Sequence, residues 1–412
     1  MSDRPHALAS PSKAEMWLAC ANSLAANIGQ PEGDKKAADL GTDKHELMTL
    51  CLQFNVDAMS YEGHVLGKGH TVNRELAADV QTVVDNVRER IRSYELRGAT
   101  AEMVLDYAVP IDHITGEEGA TGMLDIALLI TWSDGFSDLD VIDAKFGYTE
   151  VNAVGNPQLL MYASGALEVF GLTGEFRDVS LEIEQPLRSE GEHFVVGPKW
   201  IADWVQEARP KAEKAIMIHR MYEAGELALR DEDFGPSEKG CMWCLRSATC
   251  KAKERWLEEQ TEIGFETGEM PDITFLSLEA LGKRFEFLEA VEDHVKAIRA
   301  RIEIELLAGK QIPGLKLVAG KKGNRAWLSD EEAEAMMKKF KMKIDQMYSF
   351  KLLGPKPILE ALKDQPRRLK QIESLIVQPA GKPHVALDSD KRPALEIKPV
   401  EDGFETVDDD LC

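Results

Sequence analysis

No stretch of 18 apolar residues occurs in the 412-residue sequence, and its opening, MSDRPHALAS, is polar rather than basic and then apolar. Neither a membrane-spanning helix nor a secretory leader is therefore expected, and a cytoplasmic location follows. The phosphate-loop pattern G-x-x-x-x-G-K-[ST] is missing, so no nucleotide-driven motor is expected. Flavin, haem and electron-donor motifs are missing as well, which argues against redox catalysis. Internal repeats and low-complexity tracts are absent. Positive charge is scarce: 49 Lys and Arg face 72 Asp and Glu, for a net charge of −23. That balance speaks against a nucleic-acid partner until its distribution is considered. Residues 1–309 carry −25, residues 310–400 carry 19 basic against 11 acidic side chains, and residues 401–412 carry −6. A basic module attracts phosphates by counterion release, and an acidic tip can compete for it or dock on a basic partner. Ordinary solvated charge is the plainer alternative.

Cysteine is also rare, with six in the chain. Cys20 stands alone, whereas Cys241, Cys244 and Cys250 form C-x2-C-x5-C. In a reducing compartment such a set favours metal ligation over disulfides. Four-cysteine zinc modules are usually built from two local pairs, while an iron–sulfur cluster accepts four thiolates at uneven spacing, so both metals stay open on spacing alone. Either would close the chain from Cys20 to Cys250 into a ring. Cys51, among Leu47, Leu50 and Leu52, reads as a small core residue, and Cys412 is left over.

What remains is ample for folding: 44% hydrophobic residues over this length suit two or three globular domains. Ser10-Pro11 predicts a helix start that delivers Trp17 and Cys20, with Ser10 as the cap. A polar loop over 29–39 precedes a helix led in by Gly41-Thr42-Asp43. Leu76, Val80, Val83, Val84, Val87 and Ile91 predict a helix over about 73–94. Period-two alternation then predicts strands over 102–109, 122–131 and 139–145, a helix from Asn156-Pro157 to Phe170, and a strand over 179–185. This order describes an α/β core with helices on a mixed sheet. A long helix over 200–227 leads into the cysteine triplet, and one or two charged helices are expected over 276–307.

Asp143-Ala144-Lys145 ends the third strand, so Asp143 and Lys145 share one sheet face. Asp143 lies in an apolar run, and Asp125 on the neighbouring strand would repel it; a divalent cation is the usual relief, and a buried Asp–Lys bridge is the plainer reading. His45, in Gly41-x-x-x-His45, is a ready imidazole ligand, whereas Glu46 beside it diverges in direction. Gln158 and Tyr162, four apart, put an amide and a phenol on one helix face, suited to holding a phosphate backbone or fixing Lys145.

The ordered set G-x-x-x-H, G-x-x-D (Gly122, Asp125), D-x-K and Q-x-x-x-Y, enclosed by Cys20 and C-x2-C-x5-C, resembles the RecB-like branch of the PD-(D/E)xK nucleases in its iron–sulfur form. AddB-type helicase-nucleases and CRISPR-associated spacer-acquisition nucleases are similar. The stretches HALASPSKAEMWLAC, NPQLLMYASGALE and GKPHVALDSDKRPAL resemble a phage and prophage family of stand-alone RecB-like proteins. The likeness is specific over residues 6–255 and looser over 256–395. Ala144 departs from the Leu or Thr more frequent there, and only its carbonyl is implied in metal binding. The resemblance implies a restriction-endonuclease-like core closed by a four-cysteine [4Fe-4S] staple (residues 1–255), a helical connector (256–309), the basic module (310–400) and the acidic tail (401–412). It implies a Mg²⁺- or Mn²⁺-dependent DNA exonuclease in phage recombination, working in the bacterial cytoplasm. His45, Asp125, Asp143 and the Ala144 carbonyl would hold the ion, Lys145 would act in catalysis, and Gln158 and Tyr162 would position DNA. Glu102 is expected to be structural or to support the ligands. Single strands, duplex ends and a phage strand-annealing protein are the implied partners. Two other classes are a DNA-binding recombination scaffold that has kept a nuclease-like fold, and a zinc-stabilised acidic interaction or inhibitor protein.

Overall fold

Helix α1 (Ala14–Ala19) follows a 3-10 turn at Pro11–Lys13, and α2 (Ser23–Ala26) follows it closely. The structure is a computed structural model that describes residues 7–33, 35–171, 175–188, 192–261, 277–318, 330–341, 343–344, 359, 363, 366–373 and 375. Ser10 does not act as the expected side-chain cap; its carbonyl instead accepts the Lys13 N–H and the Trp17 indole N–H, each at 3.1 Å. Helix α3 (Lys36–Phe54) begins earlier than expected, so Gly41 lies within it and His45 at its middle rather than at a helix start. Helix α4 (Arg74–Leu96) opens where the Asn73 side chain accepts the Leu76 N–H at 2.9 Å. Its buried face is the predicted one: Leu76, Val80, Val83, Val84 and Val87, each contributing roughly 1.5–3 kcal/mol by leaving water.

The three alternating segments form an antiparallel meander of β1 (Thr100–Pro110), β2 (Thr121–Thr131) and β3 (Ser137–Ala144), with a short helix α5 (Asp112–Thr115) between the first two. Helix α6 (Pro157–Phe170) then carries the chain to β4 (Phe176–Glu184), which runs parallel to β3 with Asp143 opposite Ile183. A fifth strand that the sequence pattern did not suggest, β5 (Glu192–Val196), pairs antiparallel with β4, giving the sheet order β1-β2-β3-β4-β5. The mixed α/β core is thus as expected. Helix α7 (Pro198–Glu223) follows, then α8 (Glu238–Met242), α9 (Lys251–Thr261), α10 (Leu278–Glu286) and α11 (Leu288–Leu307).

One sheet face, through Ile126, Leu128, Ile130 and Ile142, packs against α3 and α4. The other, through Leu139, Val141, Leu181 and Ile183, packs against α6. A third core joins Trp17 and Leu24 to Ile111, Ile114, Met161, Ala208 and Ala212, so the N-terminal segment is seated on α5, α6 and α7. The backbone divides into two compact units, Met1–Leu317 and Val318–Cys412. The second contains α12 (Asp330–Lys339) and α13 (Pro366–Glu373). Much of the basic module and all of the acidic tail lie outside the described residues. Among the described residues, no helix is long and apolar enough to cross a membrane.

Candidate functional site

Alternation along β3 sends Asp143 and Lys145 out on the α6 side, where Lys145 Nζ lies 2.7 Å from Asp143 Oδ2. From β2, Asp125 Oδ2 accepts the backbone N–H of Ala144 at 3.0 Å, and from α3 the His45 Nδ1 lies 3.4 Å from the same oxygen. The amide of Gln158 closes the group: its Nε2 donates to Asp143 Oδ1 at 3.1 Å, and its Oε1 accepts from Lys145 Nζ at 3.1 Å. Gln158 is held there because the Asn156 side chain caps α6, accepting the N–H groups of Gln158 and Leu159. Four segments far apart in sequence thus converge on one point.

The electrostatics are those of a site with surplus negative charge. Burial pushes the Asp125 carboxyl up to about 6; His45 opposes the shift and the charge of Asp143 adds to it. Burial pulls the Lys145 ammonium down, but the charge and hydrogen bond of Asp143 hold it above its ordinary value. Asp143 is 2% exposed, whereas His45 is a third exposed, so the group opens to solvent on the His45 side. Two carboxylates and an imidazole are suitable donors for Mg²⁺ or Mn²⁺, and a divalent cation would offset the charge that raises Asp125. Among the described residues, no three His, Cys, Asp or Glu side chains are drawn into the tight grouping of a formed metal centre; Lys145 supplies the cation at Asp143. Ala144 is fully buried, and its N–H, rather than the carbonyl singled out from the sequence, is what engages Asp125.

Tyr162, expected at a DNA-holding surface, is only 6% exposed and accepts a hydrogen bond from Gln158 Nε2 at 3.0 Å. Its ring explains the glycine of G-x-x-D: a Cβ at Gly122 would stand 2.9 Å from Tyr162 Cε1 and 2.8 Å from Pro11 Cγ. Glu46 turns away from the site and accepts the Gly67 N–H at 2.8 Å. Glu102 is exposed on β1, opposite Leu129.

Two supporting groups had no signal in the sequence pattern. Asp43, fully buried, accepts the N–H groups of Lys68 and His70 and meets His70 Nδ1 at 2.7 Å, which pins the 66–70 turn against the helix that carries His45. Burial alone would raise its carboxyl, but these bonds hold it below the usual value. Gln185, 5% exposed, donates to the carbonyls of Gly147 and Thr149 at 2.8 and 2.7 Å and accepts the Val151 N–H, fixing the loop that follows Lys145.

The four cysteines of the expected staple lie near enough to act on one another electrostatically, although among the described residues no three of them close into a formed metal centre. Cys20 ends α1, and its Sγ accepts the Gly235 N–H at 3.5 Å. Gly240 allows the approach of α8 to α1, since a Cβ there would lie 2.6 Å from the Ala19 Cβ. Asn27 Oδ1 accepts the Leu245 N–H at 2.9 Å and lies 3.5 Å from Cys244 Sγ. The thiols are free rather than bridged. Burial raises Cys20, Cys241 and Cys244, the last to about 11, and the charges of the neighbouring cysteines add to each shift. Four soft donors from two distant segments suit either zinc or an iron–sulfur cluster. The segment expected as a connector covers this site: α11 meets the Ser247–Thr249 turn through a fully buried His294, Phe287 packs edge-on to Trp256, and Arg301 donates to Gln30 at 2.8 Å.

On the opposite sheet face, Arg90 of α4 bridges Asp140 at 2.5 Å and Glu182 at 2.7 Å and donates to Ser180, while Tyr94 donates to Asp140 at 2.9 Å. Burial pushes Glu182 up to about 7; Arg90 opposes this, and Glu184 and Asp140 reinforce it. These groups line a polar cleft of about 660 Å³ with Arg97, Trp132 and His193. A family model described as a protein of unknown function (DUF2800) matches residues 6–393.

Proposed function

The chain belongs to the DUF2800 family, and we propose that it is a metal-dependent deoxyribonuclease of the PD-(D/E)xK type, acting as an exonuclease. The observation that carries the reading is the convergence of Asp125, Asp143, Lys145 and Gln158 with His45 in one buried, negatively charged group. The element order α4-β1-α5-β2-β3-α6-β4, with D-x-K at the end of β3, supports the same core. The basic module at 310–400 supports a polyanionic substrate.

His45, Asp125, Asp143 and the Ala144 carbonyl would hold Mg²⁺ or Mn²⁺, which when bound supplies a water activated at neutral pH and neutralises charge on the phosphate. Lys145 provides the fixed positive charge beside the phosphate and stabilises the negative charge that develops there. Gln158 holds the Asp143 and Lys145 side chains in register, and Tyr162 holds Gln158. Asp43 and Gln185 fix the two flanking loops, so the group is preorganised. The cysteine set, as a [4Fe-4S] cluster, would tie the N-terminal segment to the region after residue 240 without taking part in hydrolysis. Strand processing for phage recombination, with an annealing protein receiving the single strands, is the setting this activity fits.

End-labelled duplex and single-stranded DNA, incubated with Mg²⁺ or Mn²⁺, should be shortened by the wild-type chain and left intact by Asp143→Ala. Cleavage by Asp143→Ala at the wild-type rate would overturn the assignment.

A further inference from the structure

Lysine is seldom fully buried without a partner charge, yet Lys253, on the first turn of α9 three residues after Cys250, is 2% exposed. Its Nζ donates to Ser247 Oγ at 2.7 Å, a neutral partner that satisfies one proton and none of the charge. Among the described residues no carboxylate lies within ion-pair distance of it, and the carboxylate whose field it feels, Asp293, is partly exposed. Cys241, Cys244 and Cys250 also act on the ammonium, and the uncharged ring of His294 lies within its field. Protonated thiols do not neutralise an ammonium. Four thiolates around a divalent metal, or around a [4Fe-4S] core of equal charge, form a net dianion that does. The Ser247 turn is closed over by α11 and by His294, which has no exposed surface, so water does little to screen the pairing.

We infer that Lys253 is the built-in counter-cation of the four-cysteine site, aimed by Ser247, and that the site is constructed for a metal–thiolate group of net negative charge. This rests on the reading that Cys20, Cys241, Cys244 and Cys250 hold a metal. Lys253 is a positioning and charge-balancing residue rather than a ligand. Replacing it with methionine keeps most of the bulk and removes the charge, replacing it with arginine keeps the charge, and Ser247→Ala keeps the charge and removes the hydrogen bond.

The test compares the full-length wild-type chain with Lys253→Met, Lys253→Arg and Ser247→Ala, all prepared anaerobically. Iron, sulfide and zinc per chain are measured, then the rate at which metal is lost to EDTA. Lys253→Met should lose metal roughly 10- to 100-fold faster than wild type, the range for removing a partner just outside the ligand shell, with Lys253→Arg within about threefold of wild type on the same scale. Ser247→Ala should fall between them. A wild-type chain that carries no metal would remove the cysteine reading and this inference with it. A metal-bearing wild type with Lys253→Met releasing at an equal rate would overturn the inference alone. If Lys253→Met is metal-free as purified, retention by Lys253→Arg supports the charge role, and loss from both overturns it in favour of packing.

Discussion

Replacing Glu182 with glutamine removes a buried charge while leaving a side chain of nearly the same shape. The carboxyl is displaced from an ordinary 4.5 to about 7, because burial, Glu184 and Asp140 together outweigh Arg90. An acid with a raised folded value holds its proton longer in the folded chain than in the unfolded one. Its contribution is therefore fully present below pH 4.5 and is lost as pH rises through 7. The displacement is worth up to about 3 kcal/mol at 1.36 kcal/mol per unit. Urea unfolding at pH 5 and pH 8 reads this directly. In Glu182→Gln the loss on going from pH 5 to pH 8 should shrink by up to that amount, with the larger gain over wild type at pH 8. Arg90 keeps its bridge to Asp140 in the variant, so no cation is orphaned. A Glu182→Gln chain less stable than wild type at pH 8 would refute the reasoning, and would mean that the Arg90 bridge dominates the buried charge.

Lys145→Ala should lower metal-dependent cleavage by at least about 10²-fold, the scale for losing one preorganised charge-stabilising group, with the circular dichroism spectrum unchanged. Gly122→Ala should destabilise the chain by roughly 1–3 kcal/mol through its clash with Tyr162 and Pro11, measured by urea unfolding; wild-type stability would mean that those side chains give way freely. Asp43 has a lowered folded value, so its contribution is present above pH 3.8 and is lost as pH falls through that lowered value; Asp43→Asn should be less stable at neutral pH and show a flatter acid limb in pH-jump unfolding. Removing residues 401–412 should tighten DNA binding, and removing 310–412 should weaken it and flatten its salt dependence in filter-binding titrations.

The strands of the meander and the buried face of α4 were legible because each is a local period, and the α6 start was legible because Asn156-Pro157 is a local cap signal. Strand β5 was not: it spans five residues, too few for alternation to stand out beside β4. The start of α3 was hidden by a largely exposed first turn, Lys36 to Asp39, that carries no apolar period, the packing beginning further on at Leu47, Met48 and Cys51. In the carboxylate site, the shared face of Asp143 and Lys145 follows from strand geometry alone. The turning of Tyr162 beneath Gln158 does not, since it depends on the space above Gly122. Asp43 with His70, Gln185 with the 147–151 loop, and Lys253 with the cysteines are pairings between side chains whose partners are set by the tertiary fold. No spacing rule marks them. Arg90, Asp140 and Glu182 are the plainest instance: polar residues within apolar patterns whose partners lie 50 and 92 positions from the arginine.

The seating of the N-terminal segment ties it to partners that are made much later in synthesis. Trp17 and Leu24 leave the ribosome long before the α7 residues they pack against, Ala208 and Ala212, and longer still before Cys241. All five strands lie between Cys20 and the triplet, so the sheet can form before α7, the last of the three helices that seat the leading segment, has been made. Cys20 can meet the triplet only after that, and α11, which covers the Ser247–Thr249 turn, is made later still. Until α7 is in place the leading end is held only in part, and it is the end at which proteolysis of an incomplete chain would begin.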